Sequence, residues 1–147
     1  MAYKGKYKVL NKSKYKGDPT NVIYRSLWER KLMNYLDTNP RILEWSSEEI
    51  AIPYNSPVDG RTHRYFPDFW AKIQTNEGVE IKVLEVKPLR QTLPPKVPKR
   101  KTKRYYQDLN TWLINESKFN AAIEECKKRG WKFQILTERN LKPGDKY

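Results

Sequence analysis

Apolar positions in residues 26–38 (Ser-Leu-Trp-Glu-Arg-Lys-Leu-Met-Asn-Tyr-Leu-Asp-Thr) recur at spacings of three and four, through Trp28, Leu32, Tyr35 and Leu36. That period places them on one face of a helix, which Pro40 ends. Downstream the period changes to two. Residues 42–54 read as two short strands around Ser46-Ser47-Glu48, with Ile50 and Ile52 alternating. Asp59-Gly60 signals a turn, a strand is predicted over Arg64–Ile73, and Asn76-Glu77-Gly78 turns the chain again. In the next strand, Val79–Lys87, residues Val83, Leu84 and Val86 are apolar on both faces, as in the middle of a sheet. Residues 88–101 carry four prolines and neither period, and read as a loop. Helical patterning resumes over Lys103–Ile114 and restarts over Lys118–Arg129, with Phe119, Ile123 and Cys126 on one face and Gly130 at the C-cap. Trp131–Thr137 alternates as a last strand. Helix, antiparallel strands, helix and strand make an α/β chain with a mixed sheet, and no internal repeat is visible.

Two of these strands contain charges where apolar residues belong. Asp68 follows Phe66-Pro67 near the start of one, and Glu85 and Lys87 interrupt the end of the next. An ionised group inside a sheet is costly unless something pairs with it. A tight turn between antiparallel neighbours brings Asp68 beside Glu85. Side chains alternate, so Glu85 and Lys87 share a face and Val86 takes the other. A hard cation removes the repulsion between two such carboxylates. Mg²⁺ takes oxygen ligands, keeps several waters and accepts phosphate oxygens, and the Val86 carbonyl offers it a third protein oxygen. Lys87 is then placed to orient or deprotonate a water and to offset charge on a phosphorane. An Asp68–Lys87 or Glu85–Lys87 ion pair on a solvated face would use the same residues. Pro67, the interrupted apolar run and the basic loop starting at Lys87 favour the metal. Glu29 is a further acid: Ser26-Leu27-Trp28-Glu29 is a capping box in which it would bond back to the Ser26 amide. Arg25 and Arg30 flank it within reach of a phosphate.

Composition narrows the rest. A chain of 147 residues suits one domain, here with a basic arm (1–20), a body (21–140) and a short tail (141–147). Aromatics at 13% argue against disorder. One cysteine and one histidine exclude an internal disulfide and multi-His or multi-Cys zinc sites, leaving oxygen ligands for a metal. No apolar run spans a membrane, and the basic N-terminus has no signal-peptide core behind it. The net charge of +13 is concentrated in two places. Residues 1–17 hold six lysines and no acid; residues 87–104 hold eight basic residues and no acid. Elsewhere sixteen basic residues face seventeen acidic ones. Two cationic segments on a neutral body point to a polyanion, because each neutralised phosphate releases a counterion. The candidate DNA contacts are Lys4, Lys6, Lys8, Arg25, Arg30, Arg90, Lys96, Lys99, Arg100, Lys101, Lys103 and Arg104. Tyr3, Tyr7 and Tyr15 interleave with lysines, to stack on bases or to dock the arm on the body or a partner. His63 is a weaker candidate beside the Asp68 strand.

Glu29, Pro67-Asp68 and Glu85-Val86-Lys87 together resemble the PD-(D/E)XK nuclease superfamily, which includes restriction enzymes and TnsA-type transposase endonucleases. The longer string is more closely similar to the head completion nucleases of large tailed bacteriophages. It comprises Tyr15-Lys-Gly-Asp-Pro19, Tyr24-Arg-Ser-Leu-Trp-Glu-Arg-Lys31 and Tyr65-Phe-Pro-Asp-Phe69, within a likeness from about residue 13 to 138. The resemblance implies a restriction-endonuclease-like core, a mixed central sheet flanked by helices. It implies Mg²⁺ dependence with Mn²⁺ as a substitute, no small-molecule cofactor, and DNA as the substrate during or after packaging. Phage head or portal proteins would be partners, and the host cytoplasm or the virion the location. It assigns Asp68 and Glu85 as metal ligands, Lys87 as the catalytic lysine and Glu29 as a supporting acid, and turns Tyr106 and Gln107 towards the site. Two rival readings keep the same fold: a structural head protein that does not cut, and a junction- or repair-processing nuclease.

Overall fold

The computed structural model describes residues 4–140; Tyr3 and the 141–147 tail lie outside the described residues. In chain order the elements are β1 (Gly5–Lys6), β2 (Ile23–Tyr24), α1 (Leu27–Thr38), β3 (Ile42–Ser47), β4 (Ile52–Asn55), β5 (Thr62–Tyr65), β6 (Phe69–Thr75), β7 (Gly78–Val86), α2 (Lys103–Arg129) and β8 (Lys132–Leu136). The central sheet has the order β3-β6-β7-β8. Its first three strands are antiparallel and β8 runs parallel to β7, because the chain returns through α2 rather than through a tight turn. The sheet is therefore mixed, with a helix on each face.

Alternation along the strands separates the two faces. Phe69, Ala71 and Ile73 of β6, with Leu84 and Val86 of β7, pack against Leu32, Met33 and Leu36 of α1 and against Trp45. Trp70 and Val83 point the other way, onto Cys126 of α2. A separate hairpin, β4 with β5, lays Ile52 and Tyr65 on Phe119 and Ala122 of the same helix.

The strand expected over Arg64–Ile73 is two strands. Pro67 has no N–H to donate to a ladder, and the chain uses Phe66-Pro67-Asp68 to leave the β4 hairpin and enter the central sheet. Asp68 thus stands at the junction, one residue before β6. The two helices expected over Lys103–Ile114 and Lys118–Arg129 are one helix of 27 residues. No proline or glycine interrupts it, and Asn115, Phe119, Ala122 and Cys126 continue one buried stripe across the expected gap. Thr102 caps it, accepting from the Tyr105 amide at 3.2 Å, and Gly130 ends it in the left-handed region at φ 74°.

Residues 4–20 are largely irregular and are packed on the body. β1 pairs with β2, and Val9 and Tyr15 are buried in the α1 cluster. The tyrosine at position 7 donates to Asp37 Oδ2 at 2.8 Å, and the amides of Leu10 and Asn11 donate to the same carboxylate at 2.7 and 3.0 Å. Fully buried Asp37, near the C-terminus of α1, is the anchor for this segment.

Candidate active site

The β6–β7 register pairs Phe69 with Leu84, and its continuation sets Asp68 beside Glu85 at the end of the ladder. Asp68 is held at both ends. Its Oδ2 accepts from the Val86 amide at 2.7 Å, and its carbonyl accepts from the Glu48 amide at 3.1 Å. Among the described residues nothing hydrogen-bonds to Asp68 Oδ1. Glu85 is buried; its Oε1 accepts from the Tyr65 hydroxyl at 2.5 Å and its Oε2 lies 3.7 Å from Lys87 Nζ.

Burial and the Glu85 charge push the Asp68 carboxyl up to about 8, against the opposing pull of the Val86 amide and Lys87. Burial likewise raises Glu85, although the Tyr65 hydroxyl and Lys87 work the other way. Two adjoining carboxylates that resist ionising together are a set that a hard cation satisfies. Among the described residues no three His, Cys, Asp or Glu side chains gather around one point. One or two carboxylates, completed by waters and substrate phosphates, are what Mg²⁺ ordinarily takes, so the donors present suit it.

Glu29 closes its capping box with a different partner from the one expected. Its amide donates to Ser26 Oγ at 3.1 Å, while its Oε1 accepts from the Arg25 amide at 3.4 Å, not from the Ser26 amide. Glu29 is also close enough to raise Asp68 by charge, and burial raises its own carboxyl. Capping and proximity to the pair therefore coexist. Arg25 donates to Glu48 Oε1 at 2.6 Å, and the Arg30 guanidinium sits 5.6 Å from the centre of the Tyr24 ring.

The remaining basic candidates spread over the surface. Lys4, Lys6, Lys8, Arg90, Lys96, Lys99, Arg100, Lys101, Lys103 and Arg104 are all exposed. Tyr106 and Gln107 are exposed on α2, with no described contact to either carboxylate. His63 belongs to the β4–β5 hairpin, 2.8 Å from Asp59 and stacked on Tyr54.

Three residues at the site escaped the reading of the sequence. Tyr65 fixes Glu85; its place in Tyr65-Phe-Pro-Asp was the signal. Lys118, on α2, lies 5.8 Å from the ring centres of Tyr54 and Tyr65, and burial with the nearby Lys87 lowers its pKa. Nothing in the sequence links it to Glu85. Glu48 takes φ 55°, the left-handed region, where its amide and carboxylate reach Asp68 and Arg25. An apolar cavity of about 400 Å³ lies on the other face, lined by Leu32, Leu36 and Leu84, and has no part in this arrangement. Among the described residues no helix is long and apolar enough to cross a membrane.

Residues 39–138 match the family model for the TnsA-like endonuclease N-terminal domain, a span that includes Asp68, Glu85 and Lys87 and starts beyond Glu29. The head completion nuclease of Enterobacteria phage T4 is 43% identical over 146 residues, covering 97% of this chain and 95% of that protein. No solved structure gives a significant match. With its mixed sheet between two helices and this span of likeness, the chain belongs to the TnsA-like endonuclease family and has the PD-(D/E)XK fold.

Proposed function

We propose that this protein is a Mg²⁺-dependent DNA endonuclease acting on phage DNA in the infected cell, during or after packaging, as a head completion protein. The pair of half-buried Asp68 and buried Glu85 beside Lys87 carries the reading, supported by the likeness to the T4 nuclease. Asp68, Glu85 and the Val86 carbonyl would hold Mg²⁺, with Mn²⁺ as a substitute. When bound, the cation supplies charge stabilisation at the phosphate oxygens.

The chain's own groups do the positioning. The Val86 amide and the Tyr65 hydroxyl keep Asp68 and Glu85 oriented. Lys87 orients the attacking water and offsets the charge that grows on the phosphate as the new P–O bond forms and the opposite one breaks. Glu29 is a supporting acid at the edge of the pair. Arg25, Arg30, the lysines of residues 4–8 and the basic residues of 90–104 contact the DNA backbone, which fixes position and carries no sequence information. Phage head or portal proteins are the partners this role requires.

The test is plasmid cleavage with Mg²⁺ and with EDTA, on the wild type and on Asp68→Ala and Lys87→Ala. Mg²⁺-dependent cutting that either substitution abolishes, with DNA binding retained, is the expected result. Full activity in either variant removes the site from the mechanism.

A further inference from the structure

Lys118 is the residue through which α2 reaches the candidate active site. It lies about three turns beyond Gln107, on the stretch of helix where Phe119 and Ala122 pack under the β4–β5 hairpin. Its Nζ is 5.8 Å from the ring centres of both Tyr54 and Tyr65, and the Tyr65 hydroxyl is the donor to Glu85 Oε1. Lys87 approaches the other oxygen, Oε2, at 3.7 Å. Two ammonium groups therefore flank Glu85, one carried by β7 and one by α2, and the Lys118 charge is close enough to act on the Glu85 carboxyl.

Lys118 is half-buried, yet among the described residues no acceptor takes its N–H donors and no carboxylate lies within ion-pair distance. Lysines are seldom withdrawn from water without a partner. The tyrosine faces hold the cation by electrostatic attraction and leave its three donors free. Glu85 does not take them, being already supplied by Tyr65 and Lys87. Burial and the nearby Lys87 both work against the Lys118 charge. An anion shared by the two lysines relieves that repulsion, as a cation shared by Asp68 and Glu85 relieves theirs. A phosphodiester is such an anion, and its non-bridging oxygens accept charge-assisted hydrogen bonds from ammonium groups.

We infer that Lys118 is a second phosphate-binding residue of the reaction centre, contacting the scissile phosphate from the α2 side while Lys87 contacts it from the β7 side. Its contribution is electrostatic. The ammonium offsets the negative charge that grows on the phosphate oxygens as the water oxygen bonds to phosphorus and the opposite P–O bond breaks. The two rings hold it in place before the DNA arrives, so less freedom is lost on binding than with a fully exposed lysine. The inference rests on the nuclease reading, which puts the scissile phosphate at Asp68 and Glu85.

The test compares the wild type with Lys118→Met, which keeps an unbranched stem over the two rings without the charge, and Lys118→Arg, which keeps the charge. In thermal melts Lys118→Met should melt no lower than the wild type. Anisotropy of a short labelled duplex is followed in EDTA and with Ca²⁺, which takes the same oxygen ligands as Mg²⁺. The three proteins should bind alike in EDTA, and with Ca²⁺ Lys118→Met alone should bind about tenfold more weakly. With Mg²⁺, Lys118→Met should lose a further factor of about ten in kcat, most of it regained in Lys118→Arg. An equal loss in EDTA and Ca²⁺ makes Lys118 one more general backbone contact and overturns the inference. An arginine variant as impaired as the methionine one overturns it too. Wild-type cutting and binding by Lys118→Met defeat the inference and spare the nuclease. If Lys118→Met melts lower than the wild type, Lys118→Gln decides the same comparison, and a lower melt in both makes the lysine a support for the hairpin instead. Ca²⁺-dependent binding that needs Lys118, in a protein that never cuts, upholds the phosphate contact and defeats the nuclease reading.

Discussion

Replacing Asp68 by Asn should remove one pH response of the metal-free protein, the gain in stability on acidification from pH 8. The native carboxyl holds its proton to about pH 8, and an unfolded aspartate only to about pH 4. Between these limits the native state binds the extra proton, so stability increases as pH falls from 8 and is lost as pH rises through 8. The gain is at most about 1.4 kcal/mol per pH unit. From pH 8 to pH 6 the ceiling is about 2.7 kcal/mol. Partial exposure of Asp68, and the sharing of the proton with Glu85, reduce this to about 1–2 kcal/mol. For a chain of this size that is a rise in Tm of about 2–8 °C. Asn keeps the acceptor for the Val86 amide and removes the charge, so the variant should lack this rise and melt higher than the wild type at pH 8. Thermal melts in EDTA at pH 6 and pH 8 measure it, and the difference between wild type and variant cancels the titrating groups that do not interact with Asp68. Adding Mg²⁺ at pH 8 should then stabilise the wild type and leave Asp68→Asn where it was. A wild type that loses stability relative to Asp68→Asn on acidification from pH 8 refutes the account of two adjoining carboxylates repelling each other.

Other consequences are more local. Tyr65→Phe deletes the hydroxyl that donates to buried Glu85, and should lower stability by about 1–3 kcal/mol in denaturant melts while reducing the Mg²⁺-supported cleavage rate. Unchanged melting would mean that Glu85 does not need this partner. Ser26→Ala removes the acceptor for the Glu29 amide, with an expected loss of about 1 kcal/mol in the same assay. Neutralising Lys99, Arg100 and Lys101 together should weaken duplex binding for all sequences alike. It should also flatten the salt dependence by about one unit of slope for each phosphate no longer neutralised, read from titrations at several salt concentrations. A salt slope equal to that of the wild type would remove the loop from the interface.

Much of the candidate site was legible because it is local. A tight turn at Thr75–Gly78 and a two-residue side-chain period suffice to bring Asp68 to Glu85 and to set Lys87 on the same face as Glu85. The capping box around Ser26 and Glu29 is also a matter of residues three apart, although which amide Glu29 accepts from was not. Charge segregation, too, was plain from residue order alone. Tertiary structure decided the rest. Pro67 was visible as a residue that cannot join a ladder, but only the folded chain shows that it marks a change of sheet, because the β4 hairpin recruits Tyr65 before β6 begins. The convergence of Tyr65 and Lys118 on Glu85 depends on the path of α2 across the sheet. That path is set by a stripe of buried residues from Asn115 to Cys126 that runs through an expected helix break. Periodicity specifies which face of an element is apolar. It does not specify which distant polar groups that face carries to a common point, because their meeting depends on how whole elements pack.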